Sequence, residues 1–174
     1  MSPDTGVVVG EALDAALAAF AYGGPMRRAL AGLKYTGVAR LAPILADLAL
    51  PTLDRVLAIA GPAALVPIPV HRRRLADRGY NQAALLAGAL ARRRRLRVAV
   101  VLERTRPTMK QHRLNRVARL ANLRGAFAAT GRAPSVAILV DDIITTTATL
   151  EACAIVLREA GCQAVYGIGV AREV

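Results

Sequence analysis

The sequence predicts an α/β protein with a central, mainly parallel sheet flanked by helices. Short apolar runs at 64–69, 98–102, 136–141 and 164–170 have the length and β-branched character of buried strands. Stretches at 81–95 and 149–160 carry apolar residues at helical spacing and lie between those runs. Strands that alternate with helices are typical of βαβ units, which build parallel sheets.

The N-terminal elements are predicted to form a small hood beside the main sheet. Residues 15–22 form an edge strand, and Pro25 begins a helix that ends near residue 33. A second helix covers 38–50 and stops at Pro51, and a further helical stretch covers 52–60. With 174 residues the chain is one domain, in which 15–50 is the hood and 62–174 the ligand-binding core.

The middle of the chain supplies loops that follow predicted strands. The strand at 64–69 leads into an arginine-rich loop, and Asn81 caps the helix at 81–95 after a turn supplied by Gly79. The polar stretch from Arg104 to Arg119 is either a lid that closes over a ligand or a surface loop without a catalytic part.

Cysteine usage and hydropathy predict the cell compartment. Cys153 and Cys162 have no second pair and no nearby His, so we expect two buried or half-buried thiols in a reducing compartment. The N-terminus has no secretory signal pattern, and no run of about 20 uncharged residues could span a membrane. We therefore expect a cytoplasmic protein without membrane insertion.

The positive charge is concentrated in one third of the chain. Residues 71–124 hold fifteen Arg and one Lys against two acidic residues, a net charge of +14, while all other residues together carry −2. Arginine suits bidentate contact with phosphate. The stretch is either a plain solvated face or a surface for polyanions such as pyrophosphate or nucleic acid.

The run 138–150, ILVDDIITTTATL, carries the most chemistry. An apolar strand ends in Asp141 and Asp142, which we expect to be exposed, and threonines lead into the helix. Hydroxyls and the free N–H groups of a first helical turn can cradle phosphate, while the carboxylates can accept sugar hydroxyls or bind Mg²⁺ through water. The threonines could equally be only turn and cap residues.

This run resembles the 5-phosphoribosyl-1-pyrophosphate (PRPP) loop of type I phosphoribosyltransferases. Other motifs narrow the resemblance to the ComF/GntX-like group, which is associated with natural competence for DNA uptake. They are YGGPMR at 22–27, LKYTG at 33–37, VPIPVH at 66–71, RGYNQA at 78–83, RTRPT at 104–108 and NLRGAF at 122–127.

The resemblance implies a type I phosphoribosyltransferase fold that binds PRPP and Mg²⁺. If the protein is an enzyme, it would displace pyrophosphate at ribose C1 in favour of an acceptor. The implied residues are the catalytic and metal-binding pair Asp141 and Asp142, the phosphate loop Thr145, Thr146, Thr147, Ala148 and Thr149, and the pyrophosphate-side residues His71, Arg74, Arg104 and Arg106.

Two departures from the group affect these expectations. The group commonly begins with a four-cysteine zinc module, and no cysteine precedes Cys153, so we expect no zinc site. Thr147 stands where the loop normally has Gly, and a left-handed conformation there would cost a β-branched residue about 1–2 kcal/mol. The alternative function is a non-catalytic PRPP or nucleotide sensor. It would contact single- or double-stranded DNA through the basic third and work with DNA-uptake or recombination proteins.

Overall fold

The computed structural model describes residues 1–4, 6–35, 39–106, 123 and 125–173, and it has seven strands in that part of the chain. The strands are β1 (Val7–Val8), β2 (Ala15–Ala21), β3 (Ala64–Pro67), β4 (Leu102–Arg104), β5 (Phe127–Ala129), β6 (Val136–Ile144) and β7 (Ala164–Arg172). The helices are α1 (Gly24–Tyr35), α2 (Leu41–Ala60), α3 (Arg72–Arg78), α4 (Gln82–Arg94) and α5 (Thr147–Glu159).

Five strands form the central sheet in the order β1-β2-β7-β6-β3. All neighbours are parallel except β1 and β2, which are antiparallel. The strands β4 and β5 form a separate antiparallel ribbon. The predicted class, an α/β protein with a mainly parallel sheet flanked by helices, is confirmed.

The sheet is buried on both faces, as a parallel sheet requires. Alternate residues of β6 enter different cores: Ile138 and Val140 pack with α1, α2 and α4, whereas Leu139 packs with α5. This alternation follows from the period of two in a strand. It explains why the strand is a continuous apolar run and not a polar-apolar alternation.

The strand at 15–21 does not lie at an edge or in a hood beside the sheet. It pairs in parallel with β7 on one side and with the two-residue β1 on the other. Its buried alanines allow close packing on both faces. The predicted edge position is therefore wrong, and only the helices of the 15–50 stretch lie to one side of the sheet.

The prediction that a helix stops at Pro51 is also wrong. A single helix, α2, passes through Pro51, which is exposed. Buried residues before and after it, including Ala49 and Leu53, continue one apolar face. Packing of that face compensates for the interior proline, which costs about 3 kcal/mol in a helix.

The predicted strand at 98–102 is reduced to one bridge. Val98 pairs with Leu65 of β3, and the chain then leaves the sheet to form β4, which pairs with β5. Val100 is consequently 72% exposed. Val98, at one end of the apolar run, pairs with the sheet edge, and Leu102, at the other end, belongs to the ribbon. The local sequence pattern does not distinguish these two kinds of pairing.

The N-terminal segment is held to the sheet by ionic contacts. Asp4 accepts hydrogen bonds from Nε and Nη2 of Arg172 at 2.6 and 2.7 Å. Asp14 accepts from Arg158 Nη2 at 2.7 Å. The buried carboxylate of Glu151 accepts three backbone N–H groups from residues 11–13 at 2.7–3.2 Å.

Candidate ligand-binding site

A pocket of about 710 Å³ opens at the carboxyl ends of β3 and β6. In parallel sheets this is the edge at which ligands bind. Its lining includes three Arg and three Asp side chains. The lining residues are Ile68, Pro69, Val70, Arg74, Asp77, Arg78, Asn81, Gln82, Ala83, Arg104, Asp141, Asp142, Ile143, Thr145 and Thr149.

Asp141 and Asp142 belong to β6, which continues past them to Ile144. The backbone N–H of Asp142 donates to Oδ1 of Asp141 at 2.8 Å. Asp142 is only 3% exposed, so the expectation of two exposed carboxylates is wrong for this residue. Asp141 is the more accessible member of the pair.

Two of the five phosphate-loop residues reach the pocket. Thr145 and Thr149, four residues apart, line it. Thr146 is the N-cap residue of α5 with φ −142° and ψ 153°, and its side chain makes no capping hydrogen bond. Thr147 begins the helix and Ala148 is buried, and neither is among the lining residues.

The left-handed conformation considered for Thr147 is not present. Among the described residues, Arg95 is the only one other than Gly with a positive φ. Thr147 has helical geometry, so it carries none of the strain that a left-handed conformation imposes on a β-branched residue. Its substitution for the usual Gly therefore leaves the loop unstrained.

The opposite wall is basic. Arg74 and Arg78 project from α3, and Arg104 ends β4. The Arg104 guanidinium lies 5.4 Å from the ring centroid of Phe127, its partner across the ribbon. Burial lowers the pKa of Arg104, and the nearby charge of Arg74 lowers it further. The charge of Asp141 acts in the opposite direction, so Arg104 lies within the electrostatic influence of both walls of the pocket.

His71 and Arg106 are not among the lining residues. His71 is the N-cap of α3, where its Nδ1 accepts from the backbone N–H of Arg73 at 3.3 Å. Arg106 is exposed beyond the end of β4. The rest of the proposed lid, 107–119, lies outside the described residues.

Neither the short helix α3 nor the position of Asp77 in the pocket was predicted from the sequence. A signal was available, because His71 can cap a helix and Gly79 can end one. Gly79 has φ 82° and its N–H donates to the Leu75 carbonyl. That arrangement is a left-handed C-cap, which favours glycine.

Asn81 and Gln82 also line the pocket. Asn81 caps α4 as predicted, accepting from the N–H of Ala83 at 2.9 Å. Gln82 is buried and accepts from a guanidinium nitrogen of Arg78. A neutral acceptor thus helps to orient one of the pocket cations.

Among the described residues of the basic third, one group of arginines lines the pocket and another lies at the far end of α4. Its first turn lines the pocket, and the exposed cluster Arg92 to Arg95 lies at its other end, about 20 Å away for a helix of 13 residues. Arg93 and Arg94 form ion pairs with Asp47 and Asp54 of α2 at 2.8 and 2.6 Å. These two arginines therefore join α4 to α2.

Both cysteines are buried free thiols, as expected. Burial raises the pKa of Cys153 well above its usual value. A thiol in this state is inert as a nucleophile.

No helix in the described part of the chain has the length and apolar character needed to cross a membrane.

Comparison with known proteins gives matches of moderate identity, and no family model matches the chain. The chain is 34% identical over 116 residues to competence protein F of Haemophilus influenzae, covering 64% of this chain and 51% of that protein. It is 31% identical over 152 residues to DNA utilization protein YhgH of Escherichia coli K12, covering 83% of this chain and 66% of that protein. The chain thus spans about half to two thirds of the length of these relatives.

Proposed function

The chain belongs to the ComF-like family, and on that premise we propose that its pocket binds PRPP together with Mg²⁺. One observation supports this most. Carboxylates, hydroxyls and guanidinium groups from three separate stretches of sequence, around residues 74, 104 and 141–149, line a single pocket. PRPP carries a diol, a phosphate and a pyrophosphate, which need these three kinds of partner.

The pocket offers a separate place for each part of the ligand. Thr145, Thr149 and the N–H groups at the start of α5 would hold the 5′-phosphate, because that helix end attracts anions. Asp141 would accept the ribose hydroxyls, and Asp142, although only 3% exposed, also lines the pocket. Arg74 and Arg104 would hold the pyrophosphate.

The acidic pair fits a magnesium ion that takes most of its contacts from the phosphate groups of PRPP. The described residues contain no group of three or more His, Cys, Asp or Glu side chains that could hold a metal alone. Mg²⁺ commonly uses one or two carboxylates plus substrate phosphates. Asp141 and Asp142 would supply the carboxylates, and the ion would help to neutralise the pyrophosphate charge.

The reaction that this site would support is displacement of pyrophosphate at ribose C1 by an acceptor. The bond from C1 to the pyrophosphate oxygen breaks, the bond from C1 to the acceptor forms, and the proton that the acceptor loses passes to the released pyrophosphate or to solvent. Arg74 and Arg104 would stabilise the negative charge that develops on the leaving group. The carboxylate of Asp141 would orient the ribose.

Calorimetry with PRPP and Mg²⁺ on the purified protein tests this proposal without knowledge of the acceptor. Binding that requires Mg²⁺ and is competed by pyrophosphate and by ribose 5-phosphate is expected. Absence of any heat with PRPP and Mg²⁺ at millimolar concentration would refute it.

A second candidate function is a role in competence or DNA utilization in which the protein binds DNA and does not catalyse. The names of the relatives and the exposed arginines favour it. Arg92, Arg95 and Arg97 are exposed at the end of α4 far from the pocket, so DNA and PRPP could bind together. DNA affinity measured against salt concentration tests it, because binding to phosphates falls steeply with salt.

A further inference from the structure

One side chain connects three elements of the pocket wall. The Oδ1 of Asn81 accepts from the N–H of Ala83 at 2.9 Å, and its Nδ2 donates to the carbonyl of Ile68 at 2.9 Å. The N–H of Ile68 in turn donates to the carbonyl of Val140 at 3.0 Å. Hydrogen bonds therefore connect the start of α4 to the residue that follows β3 and to Val140. Val140 directly precedes the acidic pair.

Three of the four residues in this chain border the pocket, and the fourth, Val140, precedes a residue that does. Ile68, Asn81 and Ala83 line it directly, as does Asp141 next to Val140. Asn81 is partly buried and has an extended backbone, with φ −98° and ψ 116°. Its side-chain oxygen accepts the capping hydrogen bond while its side-chain amide nitrogen donates to the carbonyl of Ile68.

A helix cap alone needs only an oxygen acceptor. Asp, Ser and Asn are about equally good at this position. Only an amide of this length also offers a donor to the carbonyl of Ile68, which follows β3. The choice of Asn thus has a role beyond the cap.

We propose that Asn81 is a positioning residue, whose carboxamide holds the wall at residues 68–70 at a fixed distance from α4 and from Asp141. The proposal rests on the proposed PRPP site for its functional consequence. Residues 68–70 lead from the sheet to α3, which carries Arg74. A loosened wall would misplace the basic side of the pocket relative to the carboxylates, and misplacement on the order of 1 Å lowers binding and rate strongly.

The test uses Asn81→Ser, which keeps a capping oxygen and is too short to reach Ile68. The readout is amide hydrogen exchange at Ile68, which needs no ligand, followed by PRPP affinity in the presence of Mg²⁺. We expect exchange at Ile68 to be faster by about tenfold and PRPP affinity to fall about five- to tenfold, the effect of one hydrogen bond. The melting temperature should fall by no more than the loss of one hydrogen bond produces, since the cap persists.

The matched control is Tyr80→Phe. Tyr80 neighbours Asn81 and donates to the carbonyl of Leu33 at 2.6 Å, so the variant removes one hydrogen bond from the same turn without touching Ile68. Exchange at Ile68 should stay within about twofold of the wild type. An equal acceleration in both variants would mean general loosening and would overturn the proposal.

Asn81→Asp provides the same test on a side chain of equal size if the Ser variant does not fold, because Asp also caps and lacks the donor. Unchanged exchange at Ile68 in Asn81→Ser or in this variant would refute the positioning role. Faster exchange in a protein that binds no PRPP would support the positioning role and refute the proposed ligand, so the two failures are distinguishable.

Discussion

The backbone N–H of Asp142 donates a hydrogen bond of 2.8 Å to Oδ1 of Asp141, so the first carboxylate is partly engaged by the chain that carries the second. This contact orients the Asp141 carboxylate at the mouth of the pocket, while Asp142 is 3% exposed. Although the two residues are adjacent in sequence, Asp141 is more accessible to a ligand than Asp142. Substitutions at the two positions should therefore affect ligand binding differently.

Asp141→Asn is expected to weaken Mg²⁺-dependent PRPP binding at least about tenfold, because removal of one charge-assisted hydrogen bond is equivalent to about 1.5–3 kcal/mol. The amide oxygen can still accept from the N–H of Asp142, so the melting temperature should remain close to that of the wild type. Calorimetry and thermal melting measure the two effects. Asp47→Asn, which alters an exposed carboxylate on α2, is the control, and equal affinities in both variants would remove Asp141 from the site.

Thr147→Gly is expected to leave PRPP affinity no tighter than in the wild type. The residue has helical geometry, so Gly relieves no left-handed strain and lowers stability by about 0.5 kcal/mol through its weaker helix propensity. Calorimetry and urea unfolding measure these quantities. A clear gain in affinity would show that the loop adopts another conformation around its ligand.

Arg95→Gly is expected to stabilise the protein by about 1 kcal/mol, because Arg95 ends α4 with φ 54° and Gly adopts this conformation without strain. Urea unfolding measures the change. Arg92→Gly, three residues earlier in the helix, should destabilise by a similar amount and serves as the control. Stabilisation by both variants would point to relief of charge repulsion as the cause.

Asp4→Asn is expected to lower the free energy of unfolding at neutral pH by about 1–2 kcal/mol, since it removes charge-assisted hydrogen bonds. The Arg172 hydrogen bond lowers the pKa of Asp4 below its ordinary value of 3.8. A carboxyl group with a depressed folded-state pKa stabilises fully above its unfolded-state pKa and loses that contribution as the pH falls through the folded-state value.

The difference between wild type and Asp4→Asn should therefore be constant above about pH 5 and shrink below pH 3.8. Urea unfolding across this range measures it. A difference that does not depend on pH would mean that packing, and not ionisation, holds the N-terminal segment at Arg172.

Replacing Arg92, Arg95 and Arg97 by Gln is expected to weaken DNA binding and to flatten its salt dependence, by about 0.9 in logarithmic slope for each phosphate that the protein no longer neutralises. PRPP affinity should not change, because these side chains lie at the far end of α4. Replacing Arg27, Arg28 and Arg132, which are exposed elsewhere, by Gln removes the same three charges and is the control for net charge. No binding of DNA by the wild type at low salt would refute this second function.

The sequence by itself determined the class of fold and the capping by Asn81. These depend on short-range features, namely apolar period, cap chemistry and the order of strands and helices. The run at 136–149 predicted a strand, an acidic pair and a helix start because each needs only neighbouring residues. Of the predicted site residues, Arg74, Arg104, Asp141, Asp142, Thr145 and Thr149 line one pocket.

Only the tertiary structure decided which strand is interior, whether α2 continues through Pro51 and how far each carboxylate is buried. Pairing of β2 with β7 joins residues about 150 positions apart, and the face of α2 is defined by the sheet on which it packs. The burial of Asp142 depends on the elements that pack around β6, which its local sequence does not encode. Such outcomes depend on long-range contacts, whose free energy exceeds the local preferences of a proline or a polar side chain.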